Sequence, residues 1–161
     1  LRLGFSEALK RGQRGEKRVA ASLEGLGYWV LNACDIAGKG GLGPSFFCED
    51  SRLAVPDLLC AGERGSFWVE VKARAVSPLC RWRGYRVSGI DTRDFNNYQR
   101  VEEETGLPVA LVFLHEEEKQ VRGAKLEWFR ANVDHTWDKR PNRMTYWKFE
   151  DVPRIASLEA A

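Results

Sequence analysis

The sequence predicts an α/β fold, a mixed central β-sheet flanked by helices, on three observations. Apolar residues recur at helical spacing early in the chain (Val19, Leu23, Leu26) and again over Phe95, Tyr98 and Val101. Between these helices, two β-rich runs, Val55 to Cys60 and Phe67 to Ala73, flank a Gly-containing turn and form a hairpin. After the second helix, Pro108 to Leu114 is rich in Val and Leu. It reads as a buried strand reached by a crossover back onto the sheet.

The first helix is expected from about Gln13 to Leu26, with a start as early as Ser6 allowed, and Gly27 stands where a left-handed cap belongs. Glu16 precedes Val19 by three and Ala20 by four, which places a carboxylate on or beside the buried stripe. Tyr28 to Asn32 reads as a short strand. The segment from Gly38 to about Arg52 reads as irregular chain with room for one short strand, and a loop of that length in a small domain is more often functional than idle. Pro56 belongs at a strand start or edge, because it has no N–H for a ladder. A second helix spans about Thr92 to Thr105 and ends at Gly106. Lys125 to Val133 and Arg143 to Phe149 are expected to be peripheral.

The 161 residues fit one domain, with a core over about 11–115 and peripheral elements over 116–161. Hydrophobic content of 43% and charged content of 30% are ordinary for a globular protein. No apolar run approaches the roughly 20 residues that cross a bilayer, so no membrane role and a cytoplasmic home are expected. Cys34, Cys48, Cys60 and Cys80 show no paired zinc-ligand spacing and read as reduced thiols, Cys60 a buried one. His115 and His135 are both expected at the surface.

Side chains alternate along a strand, so Phe67, Val69 and Val71 share one face and Trp68, Glu70 and Lys72 the other. Asp57, on the partner strand, can point into the same space. Phosphodiester hydrolysis needs this set: a hard cation held by oxygens, and a fixed positive charge beside the phosphate. Mg²⁺ takes one or two carboxylates, here Asp57 and Glu70, and the Val71 carbonyl can add a third oxygen, with Mn²⁺ expected to substitute. Such a cation polarises the phosphate and acidifies bound water, while Lys72 orients or helps deprotonate that water and offsets growing charge. The plainer alternative is a structural Glu70–Lys72 ion pair with Asp57 capping a turn.

The run Arg11-Gly12-Gln13-Arg14-Gly15-Glu16, then a strand ending near Asn32, then Pro56-Asp57 and Glu70-Val71-Lys72, resembles the PD-(D/E)xK nuclease superfamily. In order it is similar to Holliday junction resolvases of the archaeal type and related phage nucleases, over about Arg11 to Arg74. The resemblance implies a restriction-endonuclease-like core and a DNA endonuclease that favours branched or structured DNA and works as a homodimer. It also implies that Glu16 joins Asp57 and Glu70 as a site acid and that Lys72 is the catalytic lysine. An endonuclease on ordinary duplex and a DNA-binding module without turnover are the alternatives. The resemblance implies a fairly short link between first strand and Pro-Asp strand, often with a functional serine; here it is long, and Ser45 and Ser51 are the candidates. The glutamine–tyrosine pair of exonuclease-type relatives is absent, since position 103 is Glu; Gln99 can approach the site or equally face solvent.

Net charge is only +2, but the basic residues cluster. Arg74, Arg81, Arg83 and Arg86 fall in a stretch without acids, interleaved with Trp82 and Tyr85, a composition suited to phosphates and exposed bases. The plainer reading is an edge strand with arginines in water. Arg11, Arg14 and Lys39 are further candidate DNA contacts.

Overall fold

Strand β5 (Gly65–Arg74) is the longest strand among the described residues, and it organises the central sheet. This is a computed structural model, which describes residues 5–33, 44–48, 51–139 and 142–157. A six-stranded sheet has the order β1 (Trp29–Asn32), β4 (Leu58–Gly62), β5, β8 (Val109–His115), β9 (Gln120–Lys125), β12 (Arg154–Ser157). Only β5 and β8 pair in parallel, with Trp68 opposite Val109; the other neighbours are antiparallel. The mixed sheet flanked by helices is as the sequence predicts.

The β4–β5 hairpin turns between Gly62 and Gly65, whose φ of 105° only glycine adopts without strain. Period-two alternation along β5 then builds two cores. Val69 and Val71 join Leu58, Cys60, Val112 and Leu114 on one face, under helix α1 (Phe5–Gly25). Trp68 faces the other way, toward Leu111, Phe113 and helix α2 (Thr92–Thr105). Each fully buried side chain of this size stabilises by roughly 1.5–3 kcal/mol.

Helix α1 starts earlier than its apolar stripe suggests and lies on β5 through Val19. Close approach depends on Gly15: a Cβ there would stand 2.6 Å from the Cβ of Ala73. Gly27, at φ 88°, ends the helix, and its N–H donates to the Glu24 carbonyl at 2.9 Å. Leu26, expected in the stripe, is 63% exposed because it falls past the last helical turn.

Helix α2 has the predicted bounds. Asp91 caps it by accepting from the Arg93 N–H at 2.8 Å, Gly106 at φ 67° closes it, and Phe95, Tyr98 and Val101 are buried. The segment expected to be irregular contains a hairpin, β2 (Ser45–Cys48) with β3 (Ser51–Ala54). Leu53 is buried, and the Phe46 ring meets Trp68 edge-on. The Asn97 side chain latches this hairpin to α2, accepting from the Ala54 N–H at 3.0 Å and donating to its carbonyl at 2.7 Å.

A second sheet, of order β10 (His135–Lys139), β11 (Asn142–Lys148), β7 (Tyr85–Asp91), β6 (Leu79–Cys80), packs beside α2. The stretches 125–133 and 143–149, expected to be peripheral, contribute fully buried side chains, whereas β10 and β12 are edge strands. Phe129 of α3 (Leu126–Ala131) and Trp147 of β11 are fully buried, and the Trp147 indole donates to the Phe129 carbonyl at 2.8 Å. Aromatic runs in short elements hide the period that marks a core face.

His115 is also interior, which corrects the expected surface position. It ends β8, is 0% exposed, and its Nε2 lies 3.1 Å from the Ser88 hydroxyl. Burial pushes its imidazole down to about 4, and the Nδ1 has no partner that would stabilise a second proton. With the folded value below the unfolded one, neutral His115 stabilises the fold fully above about pH 6.5, and this is lost as pH falls toward 4. Urea unfolding should therefore show a loss of about 2–3 kcal/mol between pH 7 and pH 4.5 that is absent in His115→Phe. His135 is half-buried, hydrogen-bonded to Asp134 and stacked on Tyr146.

Candidate active site

The ladder between β4 and β5 ends at Leu58 opposite Val69, and the site begins where that ladder stops. The sequence predicts a strand from Val55, but it starts at Leu58. Pro56 has no N–H to offer, and the Asp57 side chain takes over the missing rung. Its Oδ2 accepts from the Val71 N–H at 2.8 Å, while its backbone carbonyl accepts from the Ala33 N–H at 2.8 Å. The carboxylate is thus held against β5 at Val71, between Glu70 and Lys72.

Glu70 and Lys72 share the face predicted for them. Glu70 is 4% exposed, and the Lys72 ammonium is 2.6 Å from its Oε1. Tyr98, from the buried face of α2, donates its hydroxyl to Glu70, and its ring lies 5.9 Å from the Lys72 Nζ. Burial and then the Glu70 charge push that phenol far up, so it stays a donor. The sequence shows Tyr98 only as an apolar-stripe residue; its hydroxyl carries no periodic signal. Tyr98→Phe keeps the ring and removes one donor from a buried carboxylate. An expected loss of about 1–2 kcal/mol in urea unfolding checks the contact.

The charges are unevenly matched. Burial raises the Asp57 carboxyl well above its ordinary range; Glu70 and Glu16 push it further, against the Val71 N–H and Lys72. Glu16 is half-buried on α1, with the Asn32 side-chain amide at 3.4 Å from its Oε2. Burial would lower the Lys72 ammonium, yet Glu70, helped by Asp57 and Asp94, holds it above its usual value. Lys72 is therefore a charged donor here, poorly suited to act as a base. Glu70, Asp57 and Asp94 all act on this one ammonium, so negative charge is in excess around it.

Among the described residues, no three acidic, histidine or cysteine side chains already converge as a metal cage. The donor chemistry nevertheless fits a hard cation that keeps most of its waters. Asp57 and Glu70 offer anionic oxygens, and Val71 directs its N–H to the Asp57 edge of β5. A strand residue turns its C=O to the same edge as its N–H, which puts the Val71 carbonyl on that side too.

Asp57 lines an open cleft of about 910 Å³ walled by the β2–β3 hairpin, the first half of α2 and the start of β11. No family model and no curated protein sequence matches the chain. Among solved structures it is similar to Hjc, a Holliday junction resolvase from the archaeal hyperthermophile Archaeoglobus fulgidus. The TM-score is 0.58 at 13% identity, covering 92% of this chain and 98% of that one. The fold is shared. It is a mixed α/β fold, as expected from the sequence.

The other candidate residues are scattered. Arg11 and Arg14 face Glu116, at 3.2 and 3.9 Å. Arg74 is half-buried and donates to the Gly89 carbonyl at 2.9 Å, tying β5 to β7. Arg86 is held by Glu118 at 3.0 Å and the Ser77 carbonyl at 2.9 Å. Arg81 and Arg83 are exposed on the β6–β7 turn, with Arg83 stacked over Trp82. This turn lies at the far end of β7 from Asp91, which lines the cleft; seven residues of strand separate them by about 20 Å. Gln99 is half-buried on α2. The Ser45 hydroxyl accepts from Arg52 at 2.7 Å, while Lys39 and the Ser51 side chain lie outside the described residues. No described helix is long and apolar enough to cross a membrane.

Proposed function

We propose that this chain is a divalent-metal-dependent endonuclease that hydrolyses DNA phosphodiesters, with branched or structured DNA as its substrate. The observation that carries the reading is the approach of Asp57, just ahead of β4, to Glu70 and Lys72 on β5, with Asp57 opening onto a cleft. Asp57, Glu70 and the Val71 carbonyl would hold Mg²⁺, with Mn²⁺ able to substitute. When bound, the ion supplies Lewis-acid polarisation of the phosphate and a more acidic water. Lys72 contributes a fixed ammonium beside the phosphate, stabilising charge that grows during cleavage. Glu16 adds negative charge that favours the cation, and Tyr98 keeps Glu70 oriented. The preference for branched DNA is supported by the likeness to a Holliday junction resolvase; assembly as a homodimer is part of the proposal on the sequence resemblance alone.

The test is a panel of linear, nicked, flapped and four-way DNA with Mg²⁺ or Mn²⁺. Preferential cutting of the four-way substrate is expected. Equal cutting of plain duplex would make the chain a general endonuclease, and binding without cutting under either metal would make it a DNA-binding module.

A further inference from the structure

The cleft beside Asp57 carries a charge pattern that the sequence does not reveal. Four arginines line it from three separate elements: Arg52 on β3, Arg93 and Arg100 on α2, and Arg143 on β11. All four are exposed, whereas the cleft's acids, Asp57, Asp91 and Asp94, are half-buried. Cations therefore form the rim and carboxylates the floor. Asp91 is already occupied as the cap of α2.

The geometry suits an extended polyanion. Arg93, Asn97 and Arg100 recur at three- and four-residue steps, which places them on one face of α2. Asn97 spends its side chain latching the β2–β3 hairpin, and so fixes Arg52 across the cleft. Seven residues of helix set Arg93 and Arg100 about 10 Å apart along the axis, the rise of roughly three nucleotides in one DNA strand. The ion pairs that Arg93 and Arg143 make, with Asp94 at 3.7 Å and Asp138 at 3.5 Å, are exposed and long. Such pairs are worth little and exchange readily for a phosphate.

We infer that Arg52, Arg93, Arg100 and Arg143 form the phosphate track that lays the DNA strand over Asp57, and that the Arg81–Arg86 turn is not the main grip. This rests on the nuclease reading for the identity of the polyanion. The track is sequence-independent, because guanidinium–phosphate contacts carry no base information.

Fluorescence anisotropy with labelled four-way and single-stranded DNA, in Ca²⁺ across a salt series, tests it apart from catalysis. Arg93→Ala/Arg143→Ala should weaken binding about tenfold or more at 0.1 M salt and lower the salt slope by about two. Arg93→Lys/Arg143→Lys should keep most of the slope, which separates lost charge from misfolding. Arg81→Ala/Arg83→Ala should change both quantities much less. Unchanged affinity in the rim variant, or a larger loss in the turn variant, overturns the track. A wild-type protein that binds DNA through the rim but never cuts it removes the nuclease reading and leaves the track standing. A wild-type protein that cuts DNA while the rim variant binds and cuts equally well removes the track alone.

Discussion

Lys72→Met should lower DNA cleavage by at least about a hundredfold while DNA binding persists. The substitution keeps the aliphatic stem and removes the ammonium that lies 2.6 Å from Glu70. A preorganised donor at a developing charge is worth about that much in rate. It also strips a buried carboxylate of its counter-ion, which costs up to roughly 3–5 kcal/mol in a closed site. Lys72 is about a quarter exposed, so the lower end applies. Mg²⁺ should offset part of the loss by standing in for the missing charge. Single-turnover cleavage rates, with circular dichroism melts in Mg²⁺ and in chelator, check both halves. Full activity in the variant would mean that Lys72 serves only as a structural partner of Glu70.

Asp57→Asn should abolish cutting, keep DNA binding and remove the stabilisation that Mg²⁺ gives the native protein. Asparagine can still accept from the Val71 N–H, so the strand junction survives, but one anionic oxygen is gone from the cation site. At Mg²⁺ a hundredfold above its dissociation constant, binding is worth about 2.7 kcal/mol. For a chain of this length that raises Tm by about 5–10 °C. The variant should show almost none of this rise. In chelator it should be at least as stable as the native protein, because removing Asp57's charge relieves its repulsion with Glu70 and Glu16. A native-sized Mg²⁺ shift in Asp57→Asn would place the cation elsewhere.

The strands at the heart of the site were legible because their physics is local. Period-two alternation fixes the shared face of Glu70 and Lys72, although the strand read from Val55 begins only at Leu58, past Pro56. The α2 cap at Gly106 was equally plain, since it is a single residue with a defined backbone task. What stayed hidden is non-local. Tyr98 reads as one more apolar helix residue until β5 brings Glu70 to its hydroxyl. The rim arginines come from three elements spread along the chain, and the Asn97 latch and the β7–β11 pairing bring Arg52 and Arg143 to the two on α2. The conspicuous basic turn, by contrast, is close in sequence and about 20 Å along β7 from the cleft. Charge density along the chain is a poor guide to charge density in space.

Labelled four-way DNA incubated with wild-type protein and Glu70→Gln, each with Mg²⁺ and with chelator, tests the central claim most directly. Strand scission by the wild-type protein in Mg²⁺ alone is predicted, with the other three reactions silent. Cutting that survives the chelator, or cutting by Glu70→Gln at the wild-type rate, would contradict the account.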